Sequence, residues 1–70
     1  MALKVIKERS TGMYLAGDFS EIAFIDAERV ADQNDATRLS SLDDEDSAVI
    51  AAVESFSGQF EVLDVIGRNP

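Results

Sequence analysis

No cysteine and no histidine occur in these seventy residues. A chain this short buries only about 60% of its unfolded surface on folding. Two usual reinforcements of so small a core, a disulfide and a structural zinc, are both excluded. Oligomerisation or a bound partner is the one that remains. The same absences close the nucleophilic triads, and no serine stands in a G-x-S-x-G or S-x-x-K setting. Long apolar runs are missing as well. None approaches the roughly 18 residues of a membrane span, and no apolar stretch of a secretory signal follows Lys4 and Lys7. The expectation is a soluble, cytoplasmic protein with no membrane partner. Basic residues are scarce, six against fourteen acidic ones for a net charge of -8. That balance disfavours direct contact with nucleic acid and favours a protein partner with a basic surface.

What is present is clearest between Leu42 and Ile66. Asp43 is a good N-cap, and Asp44, Glu45 and Asp46 place negative charge in a first helical turn, where free N–H groups and the helix dipole favour it. Val49, Ile50, Val53 and Phe56 recur at helical spacing with alanines between them, and Gly58 stands where a left-handed terminator is wanted. These signals predict a main helix over about 44–56. Gln59 to Ile66 follows with Phe60, Val62, Leu63, Val65 and Ile66, a β-branched and aromatic set that predicts a strand.

Upstream, Ala2 to Arg9 alternates loosely, with Leu3 and Val5 on one side and Lys4 and Ile6 opposite. Ser10, Thr11 and Gly12 make a turn, and Met13 to Ala16 returns as an antiparallel partner. Phe19 to Ile25 reads as a third short strand. Asp26 then caps a second short helix over about 27–33; the alternative is one helix from Glu21 to Gln33. Gln33 to Ser41 has the composition of a loop with only Leu39 as an anchor, the most mobile internal segment expected here, and residues 67–70 read as a frayed tail. The fold class is therefore α+β, a single small acidic domain over 1–70. A small antiparallel sheet of three or four strands packs against the main helix. The expected core is Leu3, Val5, Leu15, Ile22, Phe24, Val49, Ile50, Val53, Phe56, Phe60 and Val62.

Catalytic chemistry has little to draw on. Paired carboxylates need a deep cleft that raises one pKa, and a chain this short hardly builds one, so no enzyme activity is expected. The oxygen clusters Asp43–Asp46 and Asp32, Asn34, Asp35 lack the alternation, the glycine and the closing glutamate of an EF-hand loop. No metal and no cofactor is expected. Gly12 and Gly17 lack the spacing and the Lys-Ser/Thr ending of a phosphate loop and read as turns.

What survives is a distribution of carboxylates. Asp43, Asp44, Glu45 and Asp46 form a block, with Asp32, Asp35, Glu54, Glu61 and Asp64 elsewhere on the same acidic body. Such an array suits a basic groove on a partner, including a nucleic-acid-binding protein, whose natural ligand it would mimic. In size and charge the chain resembles the small phage-encoded inhibitors of bacterial defence systems, DNA mimics and anti-CRISPR proteins among them. The resemblance implies an inhibitory binding role. It is one of composition and carries no motif and no site residue. The alternative is a structural or regulatory subunit that forms a homo-oligomer through a sheet edge or apolar face, because Val62, Leu63, Val65 and Ile66 put apolar groups on both faces of the last strand.

Overall fold

The computed structural model describes residues 3–65. Five strands and one helix follow in the order β1 (Leu3–Glu8), β2 (Tyr14–Ala16), β3 (Glu28–Val30), β4 (Leu39–Ser40), α1 (Asp44–Glu54) and β5 (Phe60–Asp64). Single 3-10 turns at Phe24–Asp26 and Gln33–Asp35 interrupt the connections. The class is α+β, with one antiparallel sheet packed against one main helix. Among the described residues no helix is long and apolar enough to cross a membrane. The expected tail at 67–70, and Ile66, lie outside the described residues.

Strand β1 is the centre of the sheet. Along one edge it pairs with β5 from Lys4↔Asp64 to Glu8↔Phe60. Its other edge is shared: β2 takes the end at Lys7↔Tyr14 and β4 takes the beginning at Leu3↔Ser40 and Lys4↔Leu39. Cross-strand partners point to one face. Ile6 and Val62, with Leu39, Leu15 and Phe60, therefore turn toward α1, which contributes Ile50 and Val53 to the same cluster. Val5, paired with Leu63 and turned to the opposite face, is also fully buried. The expected core took Leu3 and Val5 from this strand and left out Ile6, which stands with Lys4 on the opposite side. Because both edges and both faces of this strand are covered, Ile6 is inside instead, at 1% exposure.

The hairpin forms, but β1 ends at Glu8 and β2 begins at Tyr14, so its turn is longer than the expected Ser10–Gly12. Gly12 adopts φ +73°, its N–H donates to the Glu8 carbonyl at 2.9 Å, and Glu8 N–H donates to Met13 O at 2.7 Å. Helix α1 starts where its sequence says, on Asp43, but stops at Glu54 rather than Phe56. Ser55 ends it: its hydroxyl donates to Ala52 O at 2.6 Å, and Phe56 N–H makes a tighter i→i−3 bond to Val53 O at 2.9 Å. Gly58 is not left-handed and does not act as the terminator. Phe56, expected in the core, is 43% exposed and meets the Phe24 ring at a tilt, with 5.7 Å between centroids.

The segment between the hairpin and α1 departs most from expectation. Phe19 to Ile25 is not a strand. Asp18 draws it into a turn: its carbonyl accepts from Glu21 and Ile22 N–H, and its carboxylate accepts from the N–H and hydroxyl of Ser20. Ile22 is left exposed rather than buried. Neither a helix over 27–33 nor one from Glu21 to Gln33 forms. Glu28–Val30 instead pairs with β2 through Tyr14↔Val30, Leu15↔Arg29 and Ala16↔Glu28. So short a helix would rest on packing alone, whereas the free edge of β2 offers a ladder. Arg29 holds the register, ion-pairing with Glu8 at 3.2 Å and lying over the Phe60 ring at 5.8 Å. In the expected loop 33–41, a 3-10 turn and β4 appear, and Ala36 and Leu39 join the buried residues. Leu3, Phe24, Val49 and Val62 are half-buried.

Candidate functional site

The acidic block sits at the start of α1, and its four carboxylates do different work. Asp43 caps the helix, its Oδ1 accepting from Glu45 N–H at 2.9 Å and Asp46 N–H at 3.2 Å. Asp46 reaches back to β4, where its Oδ2 accepts from Ser40 N–H at 2.9 Å. Asp44 and Glu45 are exposed, and neither side chain enters a hydrogen bond or ion pair among the described residues. Leu42, one residue before the cap, is 78% exposed. Its expected apolar counterpart four positions into the helix is Ser47, so no hydrophobic staple covers it.

The other expected binding residues do not gather here. Glu54 ends α1, ten residues along from Asp44, about 15 Å away at 1.5 Å per residue. Asp32 is occupied in capping the second 3-10 turn, accepting from Asn34 N–H at 2.9 Å, and Asp35 lies in that turn. Among the described residues no group of three carboxylates converges as ligands for a metal ion.

A groove of about 440 Å³ opens beside the block, between the 17–20 turn, residues 37–39 and the first turns of α1. Phe19, Leu39 and Val49 supply its apolar part, and Asp18, Glu45 and Asp46 its acidic part. Thr37 ties two of its walls together: its hydroxyl accepts from Gly17 N–H at 2.7 Å and donates to Gly17 O at 2.9 Å. Asp18 was not anticipated as a site residue. The Asp-x-Ser pattern at Asp18 and Ser20 was the available signal, since that spacing favours an Asx turn. Its bonds from the Ser20 hydroxyl, and secondarily from the Ser20 N–H, hold the Asp18 carboxyl below its ordinary value, so it stays ionised.

The chain matches no family model, no curated protein and no solved structure.

Its charges must therefore speak for the site. Three ion pairs occur among the described residues, Lys4 with Asp64, Arg9 with Glu61 at 2.6 Å, and Arg29 with Glu8 at 3.2 Å. All three tie strand β1 or its following residue to β5 or β3. Lys7 lies 5.9 Å from the centre of the Tyr14 ring. With three of the fourteen acidic residues paired, eleven carry no ion-pair partner among the described residues. Folding thus spends half of the scarce cations on the sheet, and Arg38, which lines the groove beside the helix start, forms no ion pair among the described residues.

Proposed function

We propose that the chain is a non-enzymatic interaction module that binds a basic surface of a partner protein through the acidic start of α1. The observation that carries this reading is the segregation just described. The cations lock β1 to β5 and β3, and Asp44 and Glu45 stand free beside an exposed Leu42. Like charges held close repel one another, and a basic partner relieves that repulsion on binding. In its sharper form the proposal makes the protein a small inhibitor or nucleic-acid mimic of the phage anti-defence kind, acting in the cytoplasm on a nucleic-acid-binding protein. The test is capture of the partner from native extract with the tagged chain, followed by affinity at rising ionic strength. Binding through exposed charge weakens markedly between low and physiological salt; unchanged affinity would rule this mode out. Competition by duplex DNA for the same partner surface would single out the mimic.

One observation favours a second reading, a homo-oligomer. Strand β5 pairs with β1 along one edge, and its other edge has no partner among the described residues. The apolar groups on both faces of this strand have partial uses within the chain, however. Val62 packs on the core under α1, and Leu63 pairs with buried Val5 on the other face. Light scattering at high concentration decides this reading, and a monomer would end it.

A further inference from the structure

We propose that the groove beside the acidic block seats two side chains of one partner segment, an Arg or Lys together with an aliphatic residue next to it. The inference rests on the reading above, that the start of α1 is the binding surface, and adds to it the chemistry of what is bound. The groove's apolar part is firmly backed, since Phe19 and Val49 lean on the core cluster and Leu39 belongs to it. Two of its three carboxylates are already held in place, Asp18 by the Ser20 hydroxyl at 2.6 Å and Asp46 by Ser40 N–H at 2.9 Å. Groups ordered before binding lose little freedom when a ligand arrives. Arg38 also lines the groove, yet it forms no ion pair among the described residues, so the three carboxylates are not neutralised from within. Three carboxylates against one guanidinium select a cation over an anion. The apolar part selects a cation on a hydrocarbon stem, because Arg and Lys lay that stem along apolar surface while the charged head stays at a wet, acidic rim. A volume of about 440 Å³ leaves room for a neighbouring aliphatic side chain on Phe19 and Val49.

The experiment is an amide-shift NMR titration of the full chain with two blocked tetrapeptides of equal charge, acetyl-Leu-Arg-Leu-Arg-amide and acetyl-Gly-Arg-Gly-Arg-amide. The leucine peptide is expected to saturate, to move the amides of Phe19, Leu39 and Val49, and to bind several-fold tighter than the glycine peptide. In the D18N/E45Q variant the amide oxygen introduced in place of the Asp18 carboxylate can still accept from Ser20 and keep the turn. Affinity should fall by about tenfold for two exposed ion pairs lost. Equal binding of both peptides, with shifts confined to residues 43–46, would overturn the groove proposal while leaving the acidic-surface reading intact. Shifts centred on Ile25 and Phe56 would overturn it too. No binding by either peptide also overturns it, and the acidic-surface reading is then judged separately by its salt dependence.

Discussion

Ile6 is where burial and sequence pattern part company, and its truncation measures the difference. Ile6→Ala removes three carbons from a side chain that is 1% exposed at the centre of the sheet. At about 0.8 kcal/mol per buried methylene the transfer loss is about 2.4 kcal/mol. A residual cavity of about 75 Å³, at about 24 cal/mol per Å³, adds up to about 1.8 kcal/mol where the site does not collapse. A loss of about 3–4 kcal/mol is therefore expected, against a total of about 4–10 kcal/mol for seventy residues. Because such a variant approaches complete unfolding, Ile6→Val is the graded companion, at about 0.5–1.5 kcal/mol. Ile25→Ala is the control, the same chemistry at a side chain 52% exposed, and should cost about 1 kcal/mol. Urea melts followed by far-ultraviolet dichroism provide the readout. With a slope near 1 kcal/mol per molar urea, Ile6→Val shifts the midpoint by about 1 M. If Ile6→Ala melts with the parent, or Ile25→Ala costs as much, the central place of β1 in the core is wrong.

Neutralising the acidic block as D43N/D44N/E45Q/D46N keeps an Asn cap, so stability should fall by a few tenths to about 1 kcal/mol per first-turn charge, offset by relieved repulsion. Affinity for the captured partner should fall much further, and a variant that both melts and binds like the parent would sink the proposed function. Gly17→Ala should lower the melting temperature, because φ +153° is a backbone conformation that L side chains rarely adopt and the new Cβ would stand 2.9 Å from Ile22 Cδ1. Strain of about 1–3 kcal/mol is expected, and unchanged calorimetry would refute it. Glu8 is held below its ordinary value of 4.5, first by its hydrogen bonds from Arg29 and then by Thr11. Below that value the unfolded chain binds the proton more readily than the folded one. Stability from this carboxylate is thus present above pH 4.5 and is lost as pH falls through the lower folded value. Melting temperature against pH should show this loss in the parent and less of it in Glu8→Gln; parallel curves would count against the pairing.

The sequence by itself determined whatever rests on adjacent residues. The start of α1 was legible because an N-cap is a bond between Asp43 and N–H groups two and three residues on, and the hairpin because Gly12 meets a positive φ locally. The acidity of the helix start was equally plain from Asp43 to Asp46. Tertiary structure decided what depends on distant partners. Phe19 to Ile25 is the exception, since it suited two periodicities and was settled by a local turn at Asp18 whose Asp-x-Ser signal stood in the sequence. Glu28–Val30 became a strand because β2 presented an open edge and Arg29 found Glu8 and Phe60. Ile6 went inside because α1 lays Ile50 and Val53 over the face that Ile6 shares with Leu39 and Leu15, which no alternation within β1 can announce. The groove has the same origin. Asp18 lines one groove with Glu45 and Asp46 because Thr37 clasps Gly17, twenty residues back, while the local bond from Ser40 N–H to Asp46 fixes the helix start beside it.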